Sequence, residues 1–472
     1  MKEKCGLFGA YSYNHSDAVP LVVVGLRALQ HRGQESWGVA TPELKPFKQR
    51  GLVSDDPEKS LPALDMISNK IAIGHVRYST VGGSSLRFAQ PSLIGRRFCI
   101  AHNGTICEID ALTSRVKYDY HLPKKVNDTS VTGYRLLQIL KENNWDWFKS
   151  IELLTKELVG AYCILIVTND GRIFAFRDTR GFRPLCIGWH EKSKSHLISS
   201  ESCAFTVMGA EHVRDVKPGE IIGLSKDGIM SHNFNTGERS AHCSFEYTYF
   251  AHPSSVIDGI SIYESRKRLG MTLADLYSDV RGDIVIPVPD SARPAALGFS
   301  ERTGIPLEEG LMKDRYGKRG GLRSFIQPKI KDRVEINRWV IPVKRAVEGK
   351  DVIVIDDSIV RGISSKTIVK ALRSAGAKSV KLLVTFPPIT SPCRAGIDFP
   401  THEELIAFNT SGKKDNIETI NRNVAKSINA DFVGYNTVEN LSQGIGKRSS
   451  ELCMSCHDGK YGVLNRNFMD AK

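Results

Sequence analysis

A chain of 472 residues, 41% hydrophobic and 25% charged, has room for two large domains or three small ones, each with a core of its own. No apolar run reaches the ~18 residues a membrane-spanning helix needs, and Met1–Lys4 leads into Cys5 without an apolar signal region, so neither a membrane nor a secreted protein is expected and the cytoplasm is the default. Ten cysteines are too sparse for a disulfide scaffold, so thiols that matter should be catalytic or metal-bound, while a formal charge of +13 admits a nucleic-acid surface until the motifs decide.

Cys5 opens the first apolar run, Cys-Gly-Leu-Phe-Gly. Alone, it reads as a small buried residue. The spacing predicts a helix over Val19–Leu29, followed by His31-Arg32-Gly33-Gln34. A short strand, Ile71-Ala72-Ile73, precedes Gly74-His75-Val76-Arg77-Tyr78-Ser79-Thr80. Another, Phe98–Ala101, precedes His102-Asn103-Gly104-Thr105. A second helix is predicted over Val131–Glu142, and strands over Ala161–Val167 and Ile221–Leu224. Gly, Asn and Asp punctuate these runs, as in sheets joined by turns. Each polar segment follows an element end, where sites are usually built. Singly they are bland: Asn-Gly is a turn signal and a lone arginine is usually solvated.

As an ordered set these segments resemble the class II glutamine amidotransferases. The resemblance runs from Cys5 to about Gly219. It takes in Asp128, Arg183, Ser200-Glu201 and Lys217-Pro218-Gly219. It implies an N-terminal Ntn-hydrolase αββα sandwich with Cys5 as nucleophile. A thiol is only a few per cent ionised at pH 7, so it needs a base. Removal of a Met1–Lys4 propeptide would give Cys5 a free α-amine with a reference pKa of about 7.7–8.0, able to serve as that base. The resemblance further implies that Asn103 and Gly104 form the oxyanion hole. Arg77 holds the glutamine carboxylate and Asp128 its ammonium, with Arg32 and Gly33 shaping the pocket.

Past residue ~260 the rhythm changes. Helices are predicted over Tyr263–Ser278, Ser291–Thr303 and Ser364–Ala375, and strands over Asp283–Val288, Asp351–Ile355 and Val380–Thr385. Strands alternating with helices imply a parallel sheet, and the continuous apolar runs imply burial on both faces. A boundary near residue 241 fits the shift. Residues 311–345 hold eleven Lys/Arg against three Asp/Glu, which suits a nucleic-acid face or a basic lid over a polyanion.

The buried run Val352–Ile355 ends in Asp356-Asp357, then Ser358-Ile359-Val360-Arg361-Gly362-Ile363-Ser364-Ser365. Backbone N–H groups of such a loop and helix start suit a phosphate; two carboxylates suit ribose hydroxyls or Mg²⁺. Paired acids after a strand also occur in receiver domains and phosphatases. The whole stretch resembles the phosphoribosyl-pyrophosphate signature of type I phosphoribosyltransferases. Phe245–Phe250, Val288–Ser291, Ser324–Pro328 and Pro387-Pro388-Ile389 narrow this to the amidophosphoribosyltransferases. The resemblance then covers nearly the whole chain: a leader 1–4, an amidotransferase half 5–241 and a phosphoribosyltransferase half 242–472 with a parallel α/β sheet. It implies formation of 5-phosphoribosylamine, glutamate and pyrophosphate from glutamine and phosphoribosyl pyrophosphate. Ser358, Arg361, Gly362, Ser364 and Ser365 would hold the phosphate, Asp356 and Asp357 the ribose. Ser291 joins the two acids at one Mg²⁺. The basic stretch Lys313–Ser324 corresponds to a flexible lid, which accounts for the local charge without nucleic acid.

Cys453-Met454-Ser455-Cys456 is a lone C-x₂-C pair, open to a redox, zinc or incidental reading. With Cys243 and Cys393 it matches the places where some members of this family hold one 4Fe-4S cluster, which implies a structural iron–sulfur site. Cys99, Cys107, Cys163, Cys186 and Cys203 read as core residues. The family resemblance also implies purine nucleotides as feedback inhibitors and a homo-oligomer, dimer or tetramer, with no nucleic-acid or membrane partner. Two rivals remain: another amidotransferase, whose sugar-isomerase or ATP-binding pattern is absent after residue 241, and a purine-sensing regulator without catalysis, which should have lost Cys5, Arg77 or Asp128.

Overall fold

The computed structural model of the chain describes residues 5–53, 68–77, 86–120, 122, 126–234, 237–313, 340–411 and 416–462. The leader 1–4, the segment Tyr78–Thr80, the Ser324–Pro328 motif and all of the lid beyond Lys313 lie outside them.

Strand alternation builds the first half in layers. In the opening strand Cys5–Ser12, Leu7 and Tyr11 face one side, Phe8 and Ala10 the other. That strand is central in a seven-stranded antiparallel sheet, between Ser195–Ser199 and Ile71–Arg77. A second antiparallel sheet of six strands has Ile173–Arg177 and Val159–Thr168 at its centre, with Phe98–Cys107 next to the latter. Leu7, Ile73, Ala101, Leu165 and Ile198 fill the space between the sheets. The helices Val19–Ala28 and Cys203–Met208 cover the outer face of the first sheet; Ile109–Asp119, Asp128–Glu142 and Trp147–Thr155 cover the second. The result is helix, sheet, sheet, helix.

The second half carries a parallel sheet in the order Ile284–Pro287, Asp351–Asp356, Ser379–Val384, Phe432–Tyr435. Helices Ile262–Leu276 and Arg293–Thr303 bury one face, Ile363–Ser374 and Ile417–Ile428 the other. All nine elements named from the sequence between Val131 and Thr385 are present, with shifted ends. The helix expected from Val131 begins at Asp128, because the Asn127 side chain accepts from Ser130 N at 3.0 Å and caps it. The helix expected from Ser291 begins at Arg293, with Pro294 in its first turn.

A third core joins the halves. Ala161 and Phe182 pack with Phe245, Tyr247, Phe250, Phe386 and Phe399, and with Cys243, Cys393, Cys453 and Cys456. His242–Cys243 pairs in parallel with Leu452–Cys453, tying the middle of the chain to its late residues. A single π turn, Glu246–Phe250, follows. One expectation is corrected here: Cys99, Cys163, Cys186 and Cys203 are buried, but Cys107 is not a core residue. As the last residue of its strand it leaves the sandwich, and its Sγ donates to Arg394 O at 3.3 Å. Among the described residues no helix is long and apolar enough to cross a membrane.

Candidate active sites

The first site sits where both sheets of the sandwich present strand ends. Cys5 is fully buried, and the register sets it beside Arg77. Ser36 flanks Arg77 on the other side. Gly33 lies against this strand: a Cβ there would stand 2.6 Å from the Val76 carbonyl carbon and 2.7 Å from Arg77 N, so only glycine fits. Arg32 donates from Nε to Cys5 O at 3.0 Å. Its guanidinium is held by Glu201 and by Glu246, the latter at 2.8 and 3.0 Å. Burial would strip its proton, but the two carboxylates win and raise its pKa. Glu201 also takes His31 Nε2 at 2.8 Å, and His252 N and Ser255 Oγ at 2.7 Å each. Burial alone would raise this carboxyl, yet the charges of His31 and Arg32 hold it well below the usual range.

The opposite wall is the strand Phe98–Cys107. Gly104 has φ +140°, and a Cβ there would be 1.9 Å from Ala161 O, so its N–H is presented in a conformation closed to other residues. Asn103 is 1% exposed, and its amide nitrogen has no acceptor among the described residues. A buried donor without an acceptor costs about 1–3 kcal/mol, so the fold holds it ready for something else. His75 Nε2 donates across the layers to His102 O at 3.1 Å, which brings the Arg77 strand against the Asn103 strand. Gln90 braces the same place, accepting from His102 N at 2.7 Å and donating to Thr129 Oγ1 at 2.9 Å. Asp128 heads the capped helix; its Oδ1 accepts Thr129 N at 2.9 Å, and its Oδ2 lies 3.9 Å from His102 Nδ1. Burial, then the Arg77 charge, pushes His75 down to about 3, and burial lowers His102 as well. Neither imidazole is a competent base near neutrality.

The second site lies past the carboxyl ends of the parallel strands, where such sheets bind ligands. Asp356 and Asp357 are 7% and 5% exposed. Asp357 N donates to Asp356 Oδ1 at 2.9 Å. Ser358 Oγ donates to Asp357 Oδ1 at 2.7 Å, and Ser291 Oγ donates to the other oxygen. Burial, then the neighbouring Asp357, pushes the Asp356 carboxyl far up. Two acids and a hydroxyl in so dry a place fit a hard cation. Gly362 caps the helix Ile363–Ser374 at φ +74°, where a Cβ would strike Ile406 at 2.3 Å. Ser364 and Ser365 follow in a first turn with no acidic residue and no side-chain cap, which leaves an anion site. The Arg361 guanidinium, beside this turn, donates to Glu404 at 2.6 Å and Asp398 O at 2.7 Å.

Cys243, Cys393, Cys453 and Cys456 line one enclosed cavity with Phe245, Tyr461 and their neighbours, and none is in a disulfide. Cys393 Sγ accepts from Ala395 N and Ile397 N, each at 3.3 Å. Burial raises Cys243 to about 12 and Cys453 to about 11 and pushes Cys456 well up, with neighbouring thiols adding to each. Converging thiols with N–H donors aimed at sulfur fit a four-thiolate metal group.

Glu201, Arg183 and Glu246 have no role that the sequence alone assigns, yet they hold the nucleophile's surroundings together. The signal for Glu246 was available: an acid inside the aromatic run Phe245–Phe250 must be paired once buried.

The fold and its two sites define a class: a glutamine amidotransferase joined to a phosphoribosyltransferase in one chain. A model of the glutamine amidotransferase domain matches residues 75–207. The chain is 42% identical to the amidophosphoribosyltransferase of Methanocaldococcus jannaschii, covering 97% of both, and 38% identical to that of Bacillus subtilis, covering 98% of this chain and 94% of the relative. The chain belongs to the amidophosphoribosyltransferase family. Its structure resembles that of the B. subtilis glutamine phosphoribosylpyrophosphate amidotransferase complexed with ADP and GMP, at TM-score 0.83 and 37% identity over 97% of both chains. The sandwich is thus an Ntn-hydrolase fold and the parallel sheet a phosphoribosyltransferase fold. The chain is an enzyme, a pentosyltransferase with glutamine amidotransferase activity, that makes 5-phosphoribosylamine for purine biosynthesis. The regulator reading finds no support.

Proposed function

We propose that residues 5–241 release ammonia from glutamine and that residues 242–472 place it on C1 of phosphoribosyl pyrophosphate, after loss of the leader 1–4. The observation carrying the first part is the buried Asn103 amide without an acceptor, beside the Gly104 N–H. The freed α-amine of Cys5 takes the thiol proton, and the thiolate attacks the glutamine side-chain carbonyl. Asn103 and Gly104 receive the oxyanion, the amide nitrogen takes the thiol's proton from the same amine and leaves as ammonia, and water, deprotonated by that amine, then hydrolyses the Cys5 thioester to glutamate and the free thiol. Arg77 pairs with the substrate carboxylate and Asp128 with its ammonium. Arg32 and Gly33 fix the backbone of Cys5 and Arg77.

In the second half, the loop Ser358–Ser365 holds the 5′-phosphate on backbone N–H groups and the hydroxyls of Ser364 and Ser365. Asp356 and Asp357 take the ribose hydroxyls and oppose the positive charge that builds on the ring. Mg²⁺ bound near Ser291, Asp356 and Asp357 would neutralise the departing pyrophosphate. Cys243, Cys393, Cys453 and Cys456 would hold a structural 4Fe-4S cluster. Purine nucleotides are its inhibitors in this reading, which the ADP and GMP complexed with the B. subtilis relative support. We assign the enzyme to the cytoplasm as a homo-oligomer.

Glutamine labelled with ¹⁵N at the amide is the test. The label should appear on the anomeric carbon, with Mg²⁺ required. Labelled ammonia released to solvent with no labelled sugar would refute the proposal. Mass spectrometry should find Cys5 as the first residue of the active enzyme.

A further inference from the structure

The turn Cys393–Asp398 leaves the second half and lies on the first, and each residue from Arg394 makes a directed contact. The Arg394 carbonyl accepts from Cys107 Sγ at 3.3 Å, at the end of the strand carrying Asn103 and Gly104. The Ala395 carbonyl accepts from Arg183 Nη2 at 2.6 Å. Gly396 has φ +100°; a Cβ on it would stand 2.8 Å from Thr105 Oγ1, 3.1 Å from Arg183 Nη2 and 3.4 Å from the Gly104 carbonyl carbon. The Asp398 carbonyl accepts from Arg361 Nη2 at 2.7 Å, and Arg361 Nε donates to Glu404.

Arg183 extends the reach of this turn. Its Nη1 donates to Glu246 Oε1 at 3.0 Å; Glu246 holds Arg32, and Arg32 holds Cys5 O. Arg32, Arg183 and Glu246 are all at least 94% buried, so water cannot absorb a shift in any of them. One turn therefore touches the oxyanion strand by packing, reaches the nucleophile's backbone through three charged side chains, and is tied at its far end to the phosphate loop.

We propose that the turn Arg394–Asp398, centred on Gly396, positions the oxyanion strand and Cys5 according to the state of the loop Arg361–Ser365. This rests on the roles proposed above for Asn103, Gly104 and that loop. Gly396, Ala395 and Arg183 are positioning residues: none touches substrate. An error of about 1 Å in a reacting group can cost about 10²-fold in rate, so small movements of the turn suffice.

The test uses the full chain purified anaerobically, wild type and carrying Gly396→Ala or Glu404→Gln. Glutamine hydrolysis is measured with and without phosphoribosyl pyrophosphate, and product formation with ammonium chloride in place of glutamine. Iron per chain is measured alongside. In the wild type, phosphoribosyl pyrophosphate should speed hydrolysis. Gly396→Ala should lower hydrolysis in its presence by about 10²-fold, with ammonia-dependent synthesis and iron unchanged. Glu404→Gln keeps side-chain size and frees Arg361 from its ion pair; it should lower the ratio of stimulated to basal hydrolysis and leave the basal rate alone. Both variants keeping the wild-type ratio would overturn the proposal. So would a wild-type enzyme whose hydrolysis ignores phosphoribosyl pyrophosphate, or a parallel fall of all three rates in Glu404→Gln. If Asn103→Ala hydrolyses glutamine at the wild-type rate, the site assignment fails instead.

Discussion

At the scale of single residues, the functional groups are held by what the fold denies them. Asn103 is denied an acceptor and Gly104 a Cβ. Asn103→Ala should lower kcat for glutamine hydrolysis by about 10²–10³-fold and leave ammonia-dependent synthesis intact, as steady-state assays with each nitrogen source will show. Asp258 illustrates charge doing structural work. Burial would raise its carboxyl, but the bidentate bonds of Arg177 at 2.7 and 2.9 Å hold it far below the usual range. A depressed carboxyl stabilises above its unfolded pKa and loses that contribution as pH falls through the folded one. Asp258→Asn should therefore cost about 3–5 kcal/mol at pH 7, the price of an unpaired buried Arg177. The deficit should begin to shrink only below about pH 4, which thermal midpoints across pH will reveal. Residues that touch substrate in the proposed chemistry were legible, because their types follow from the reaction. The residues that hold them were not. Glu201 and Glu246 lie 169 and 214 positions from Arg32, and nothing local in the sequence links them.

At the scale of elements, periodicity carried the reading furthest where one face is buried continuously. Val352–Ile355 and Ser364–Ala375 were plain because burial on both faces, or along one helical stripe, writes a regular pattern. The edge strand Gly228–Asn233 was invisible: it is mostly exposed and carries no alternation. The short helix Cys203–Met208, likewise unnamed, lacks the length for a period. Contacts between elements were not legible either. Helices Ile262–Leu276 and Arg293–Thr303 meet glycine to carbonyl. A Cβ on Gly270 would be 1.8 Å from Ala295 O, and one on Gly298 would be 2.0 Å from Lys267 O. Gly270→Ala must push the helices apart and should cost about 1–3 kcal/mol, read as a lower urea midpoint at unchanged m-value.

At the scale of the whole molecule, the third core decides whether two folds act as one enzyme. Burial holds three of its thiols high, with Cys243 near 12, Cys453 near 11 and Cys456 well above the ordinary thiol value, yet a metal group needs its thiol ligands ionised. Binding must therefore expel protons. Reconstitution of the apo chain with iron and sulfide should go further at pH 8 than at pH 6, followed by visible absorbance. Chelation, or Cys456→Ser, should lower the thermal midpoint and weaken glutamine-dependent synthesis more than ammonia-dependent synthesis, because the turn at Cys393 bears on the oxyanion strand. Equal loss of both activities would argue against that link. The basic charge of residues 311–345, alone, pointed no more to a sugar diphosphate than to nucleic acid; only the motifs around it did.

The pairing of His242–Cys243 with Leu452–Cys453 also orders events in time. A ribosome delivers every strand of the sandwich and of the parallel sheet before Leu452 emerges. Until then the aromatic seam at Phe245–Phe250 has no cover from Cys456 or Tyr461. Nascent chains arrested short of residue 450 should resist protease across the sandwich but be cut at the seam. A group held by the four thiols would therefore have to enter after Leu452–Cys456 has emerged, and before the seam closes.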